Sequence, residues 1–190
     1  FISSFQSGLL NIEADDSIEL LNNSNSGLES IPTAQTIRIS GTAFDNDANL
    51  WVLNSIIQKP LKKFNPTTNQ WTSYDFSSII SNPLIDENGF SEIVIGSDGT
   101  KWIGGLKKGV IGFNETGQLL KNIDDEEVAN LPSTSVKALA MDNNNVLWIG
   151  TYRGLRVLYN TSNFFEDGAV VRTEPIIILE DGLAQELLAQ

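Results

Sequence analysis

The sequence predicts an all-β chain built from a repeated sheet, and three observations carry that expectation. Short apolar runs alternate with Asn-, Asp- and Gly-rich breaks along nearly all of the 190 residues. Three segments can be laid over one another: ISGTAFDNDANLWVLN (39–54), FSEIVIGSDGTKWIGG (90–105) and VKALAMDNNNVLWIGT (136–151). Their tryptophans, Trp51, Trp102 and Trp148, stand 51 and then 46 residues apart. A period of about 40 to 50 residues made of short strands is that of β-propeller blades and not of helical solenoids.

Each repeat supplies four strands in order. The apolar run before the polar break is the first, and the run containing the tryptophan is the second. PLKKFN (60–65), GVIGFN (109–114) and GLRVLYN (154–160) are the third. QWTSYDF (70–76), QLLKNI (118–123) and EPIIIL (174–179) are the fourth. The breaks hold the residues that tight turns require: SDG (97–99) and ETG (115–117) place glycine where positive φ is wanted, and DNNN tolerates the same region.

Blades are therefore expected over 24–76, 77–123 and 124–180. SGLLNIE (7–13) and SIELL (17–21) read as third and fourth strands without their first two, so 1–23 is the outer half of a further blade. NSGLES (25–30) leads into the next blade, and EDGLAQELL (180–188) has the same look, making 181–190 a lead-in. The tail AQELLAQ (184–190) has room for a turn or two of helix.

Blades stack face to face, so a strand inside one is covered on both sides. Trp51, Trp102 and Trp148 are expected to fill the wedges between neighbours. Gly104, Gly105 and Gly150 follow the tryptophans, where a Cβ is expected to crowd the next turn, and Gly154 opens a third strand. These positions read as architecture. An arrangement of one half-blade and three blades does not close into a ring. The expectation is a piece of a larger propeller, with its exposed blade faces covered by the rest of that propeller or by another copy.

Composition removes several classes of function. Histidine and cysteine are both absent, which excludes Ser-His-Asp and Cys-His pairs, the usual zinc sets and thiolate chemistry. Twelve Lys and Arg against 24 Asp and Glu give a net charge of −12, the wrong sign for sequence-independent binding of nucleic acid. No apolar run reaches the roughly 18 residues of a membrane span. Asp45, Asp47 and Asn49 echo the opening of an EF-hand loop, but Leu50 and Ile56 stand where its glycine and glutamate are needed. GSDGTK (96–101) misses the P-loop spacing, and no Gly-x-Ser-x-Gly or Ser-x-x-Lys occurs. The acidic run Asp124, Asp125, Glu126, Glu127 reads as a solvated loop. The expectation is a chain with no catalytic constellation, no cofactor and no metal, and so not an enzyme.

One distribution points to a ligand. In a four-stranded blade, connections between second and third strands emerge on the same face as connections between blades. The former carry Lys59, Lys107, Lys108 and Arg153. A rim of cations on an otherwise acidic chain suits phosphate or carboxylate on a sugar or lipid headgroup. The blade-to-blade loops bring Asp86, Glu87 and the 124–127 run to the same face, which opposes that field.

NNNVLWIGTYRGLRVLYN, with DGTKWIGGLKKGVIGFN and DANLWVLNSIIQKPLKKFN, resembles the two-component-regulator propeller repeat of the extracytoplasmic sensor halves of Bacteroidetes hybrid histidine kinases. A longer resemblance runs in order across blade boundaries. FISSFQSGLLNIE, NSGLES, TTNQWTSYDFSSII, GLRVLYNTSNFF and IIILEDGLAQELL are similar to the PorZ-like surface components of the type IX secretion system. That resemblance implies two seven-bladed propellers and a C-terminal β domain at the outer-membrane surface. It also implies as partners the sortase that joins cargo to anionic lipopolysaccharide, and that lipopolysaccharide itself. This chain would be a segment of the second propeller, without the C-terminal domain. An extracytoplasmic place, at the outer-membrane surface or in the periplasm, is implied as well. The alternative is a ligand-sensing propeller that feeds a histidine kinase.

Overall fold

A strand covered on both faces has no reason to alternate polar and apolar residues, and LWVLN and KWIGG do not. In the computed structural model, which describes residues 1–82 and 89–188, both are strands buried along their whole length. Asp86 and Glu87 lie outside the described residues. Strand order within each sheet follows chain order, and the neighbours named below with a register run antiparallel.

The chain divides into two compact units, Phe1–Ile93 and Val94–Gln190. In the first, β1 (Ile2–Ser4), β2 (Gly8–Ile12) and β3 (Ile18–Leu21) form one sheet. β4 (Ile39–Phe44), β5 (Leu50–Asn54), β6 (Leu61–Asn65) and β7 (Gln70–Tyr74) form the next. Leu9 and Leu21 from one sheet meet Ile39, Leu50, Val52 and Phe64 from the other, with Leu28 and Ile37 of the connecting loop between them. This is face-to-face packing of two sheets, the contact by which blades stack.

The boundary between the units falls inside β8 (Phe90–Ile95), the first strand of a sheet completed by β9 (Lys101–Gly105), β10 (Val110–Asn114) and β11 (Leu119–Ile123). β12 (Val136–Met141), β13 (Leu147–Thr151) and β14 (Gly154–Leu158) form the last large sheet. The second unit repeats the packing of the first. Trp102, Val110 and Ile123 meet Val136, Leu139, Leu147, Ile149 and Leu158, sealed by Ala129, Leu131 and Phe164 from loops. The first strands of two sheets share one irregularity: the ladder slips between Ile39 and Gly41, and again between Val136 and Ala138.

The structure departs from the expected strands in three places. The N-terminal sheet has a third strand, β1, which the sequence hides because only one of its three residues is apolar. Its turn has no glycine before Gly8, and is closed by Ser4 Oγ accepting the N–H groups of Gln6 and Ser7. The expected fourth strand at 174–179 joins β14 only through the bridge between Glu174 and Val157. Beyond it, β15 (Ile177–Glu180) pairs with β16 (Leu183–Glu186). The cause is Asp181-Gly182, whose φ angles of +50° and +77° suit a primed two-residue turn. The tail is accordingly strand over Leu183–Glu186 and not a helical turn, and its last two residues lie outside the described ones.

Two of the three marker tryptophans, Trp51 and Trp148, are held through their first hairpin turns. Ala48, Gly99 and Asn145 occupy equivalent places with φ of +59°, +81° and +60°. Asp45 opens the first such turn: its Oδ1 accepts the N–H groups of Asp47 (3.0 Å) and Asn49 (2.9 Å), and its Oδ2 accepts Trp51 Nε1 at 2.8 Å. Asp142 does the same for Asn144 and Val146, and reaches Trp148 Nε1 at 3.4 Å. The residues of the failed EF-hand match are thus a self-closed turn. Trp51 and Trp102 are fully buried, whereas Trp148 is half-buried.

Candidate functional site

The turn between β9 and β10 owes its position to glycine, whereas the one between β5 and β6 has none. Gly109, at φ +64°, immediately precedes β10, and a Cβ there would lie 2.0 Å from the carbonyl oxygen of Ile123. Only a residue without a side chain lets this turn close onto the end of β11. Gly8 stands in the same relation to Leu21 O, at 2.3 Å. Gly105 is also crowded, its Cβ position lying 3.1 Å from Gly109 O. At Gly150 the nearest atom to a built Cβ, Ala138 Cβ, is 3.5 Å away, so that site has room and the expected crowding does not exist there. Gly104 is an interior residue of β9, and Gly154, at φ +148°, begins β14.

In the second unit two turns between second and third strands are stitched to one loop. Gly109 N–H donates to Thr134 O, and Tyr152 N–H donates to Ser135 O, both at 2.9 Å. The turn carrying Lys107 and Lys108 therefore adjoins the turn carrying Arg153. Between Arg153 and the 124–134 loop lies a cleft of about 440 Å³ lined by Asp124, Glu126, Ser133, Thr134, Tyr152 and Arg153. Lys107 and Arg153 are exposed and Lys108 is half-buried. Tyr152 is 65% exposed, an aromatic face open to solvent at the mouth of the cleft.

The cleft is of mixed sign, because Asp124 and Glu126 share it with Arg153. Their neighbour Asp125 turns inward on its own loop, accepting the N–H groups of Val128 (2.6 Å) and Ala129 (3.2 Å). Lys59 belongs to the first unit, where it lies in the field of Asp75. The Asp75 carboxyl sits below the usual range, chiefly because Ser77 hydrogen-bonds to it, with Lys59 adding a smaller pull. Chemically, this rim offers guanidinium and ammonium donors beside carboxylate acceptors, hydroxyls and one aromatic plane.

Two cations at a shared register inside third strands escaped the sequence reading. Lys62 on β6 and Arg156 on β14 hold equivalent registers, opposite Val52 and Ile149, with Ile111 opposite Ile103 between them in the series. Lys62 is fully buried; its Nζ donates to Glu29 and, at 2.9 Å, to Ser73 Oγ. Burial holds its ammonium below the usual lysine range, against the opposing pull of Glu29. Arg156 donates to Asn130 O (3.0 Å) and to Glu186 Oε2 (3.1 Å). Both therefore pin the loop that precedes their own sheet, and neither belongs to the rim. A readable signal existed: a basic residue at the same register of two third strands.

Comparison with known proteins agrees with the sheets. The two component regulator propeller family matches residues 130–153. PorZ, an essential surface component of the type IX secretion system of Porphyromonas gingivalis, superposes with a TM-score of 0.79 at 20% identity, over 98% of this chain and 26% of that one. The extracellular domain assigned to a hybrid two-component system of B. thetaiotaomicron gives 0.61 at 17% identity, over 94% and 23%. Virginiamycin B lyase of Staphylococcus aureus gives 0.52 at 16%, over 76% and 42%. A search of curated proteins finds no match. The chain spans about a quarter of the first two structures. At these identities the likeness is one of fold. The chain has the all-β architecture of a β-propeller, with two four-stranded and two three-stranded antiparallel sheets among the described residues, and one stretch of it matches the two component regulator propeller family.

Proposed function

We propose that the chain is a non-catalytic propeller segment of a PorZ-like component of the type IX secretion system. It acts outside the cytoplasm and presents a rigid rim to a sortase or to anionic lipopolysaccharide. The observation that carries this reading is the extent of one similarity: 98% of the chain superposes on PorZ at 0.79, against 94% at 0.61 for the two-component sensor. The rim adds a chemical reason. Lys107, Lys108 and Arg153 rise on adjoining turns, and Tyr152 supplies a flat apolar surface of the kind that sugar rings stack on.

The test is charge reversal in the intact protein. Lys107→Glu, Lys108→Glu and Arg153→Glu together are expected to weaken binding of anionic lipopolysaccharide by about tenfold or more, with a shallower salt dependence than the parent. Unchanged binding removes the rim from the reading, and capture of the sortase by the same variant then decides whether the partner is protein. The family match at 130–153 favours a second reading, a sensor domain of a histidine kinase. A parent gene that continues into a transmembrane helix and a kinase supports that one, and a β-rich C-terminal domain supports the first.

A further inference from the structure

In two repeats the indole N–H of the marker tryptophan is held by an aspartate six residues earlier, Asp45 for Trp51 and Asp142 for Trp148. In the middle repeat that position is Gly96. Trp102 is nevertheless fully buried, and its Nε1 has no hydrogen-bond partner among the protein atoms. A buried donor left bare is costly enough that native structures supply it with an acceptor.

Three polar atoms surround the side chain that Gly96 lacks. A Cβ built there would lie 3.3 Å from Trp102 Nε1, 2.9 Å from Asp98 Oδ1 and 3.2 Å from Asn145 Oδ1. Asp98 Oδ1 already accepts the N–H of Thr100, and Asn145 Oδ1 that of Ser97, so each keeps a lone pair for a second donor. One donor and two acceptors converge. A cation would face the positive end of the indole N–H, and an anion would face two oxygens. Water is the complement: it accepts once and donates twice.

We propose that the middle repeat binds a single ordered water at Gly96, in place of the missing carboxylate. The water accepts from Trp102 Nε1 and donates to Asp98 Oδ1 and Asn145 Oδ1. Because Asn145 belongs to the β12–β13 turn, and its side chain also donates to Thr161 Oγ1 at 2.9 Å, the water joins the hairpin turns of two successive sheets. The bond from Ser97 N–H to Asn145 Oδ1 already links these turns, and the water adds a second link beside it.

A crystal structure of the full chain, at a resolution that orders water, tests this directly. The expected result is one water within hydrogen-bond distance of Trp102 Nε1 and of both oxygens. No water there, or a direct bond from Nε1 to a rotated Asp98 or Asn145, overturns the proposal. Two variants give an independent readout. Gly96→Asn supplies an acceptor without a second charge beside Asp98, whereas Gly96→Ala fills the space and accepts nothing. The asparagine variant is expected to unfold at the higher denaturant concentration, and equal midpoints count against the water. If neither variant folds, the parent structure alone decides.

Discussion

At Asp45 one carboxylate closes a turn and saturates a buried indole, and its ionisation reflects both duties. Burial pushes the carboxyl up, but the bonds from Trp51, Asn49 and Asp47 outweigh it, and the group sits below the usual range. Asp142 is lowered as well, mainly by the N–H of Val146. A folded-state value below the unfolded one means stability that is complete above about pH 4 and fades as pH falls through the folded value. The thermal midpoint is therefore expected to hold from neutral pH to about 5 and to drop below 4, with part of that drop abolished in Asp45→Asn; acid titration of the melting curve checks it. Asp45→Ala removes the carboxylate that accepts the indole N–H of the fully buried Trp51 and is expected to cost about 1–3 kcal/mol by denaturant unfolding. Asp142→Ala is expected to cost less, because its indole contact is longer and Trp148 is half-buried. The aspartate at the head of the turn was visible in the aligned repeats. Its bond to the tryptophan was not, because periodicity marks a turn without saying where a side chain inside it points.

Among the elements, third strands show where sequence reading runs out. LKKFN reads as a strand, and nothing in it says what covers its lysines; Lys62 lies in the interior with Glu29 and Ser73 as partners. Exposure follows from what packs on a sheet, and the loop over Lys62 is set by chain far from it. Lys62→Met removes a buried charge with its packing kept, and is expected to leave stability unchanged or to raise it by about 1–2 kcal/mol. Glu29→Ala strands the ammonium and is expected to lower stability by about 1–3 kcal/mol, the modest figure reflecting that the Glu29 side chain is half-exposed and Ser73 still accepts. Equilibrium denaturation of the pair of variants separates the two effects. The strands flanking each tryptophan were legible to within a residue or two, since Asn, Asp and Gly fixed their turns and unbroken apolar runs fixed their burial. β15 was misassigned because the same Asp-Gly that resembled a lead-in is a strong hairpin former.

For the whole molecule, surface apolarity sets the expectation. Ile18 is 67% exposed, Leu179 79% and Leu183 66%, large apolar side chains left open to solvent. Repeat sheets do not cover their own faces. The 190-residue chain by itself is therefore expected to associate as its concentration rises and to bind an apolar dye, read by sedimentation and by fluorescence. A sharp monomer that binds no dye excludes this. Of the rim, the sequence placed Lys107, Lys108 and Arg153 on the right turns and named the acids that oppose them. It missed Tyr152, Ser133 and Thr134, whose types carry no charge signal.

The matched slips in β4 and β12 bear on how these two sheets curve. A ladder that skips a rung bends its strand and winds it more tightly. Because each slip falls at the same distance before its tryptophan, the first strands of both sheets veer at one level, and deleting a residue at either slip is expected to flatten that strand and swap the faces of the side chains ahead of it.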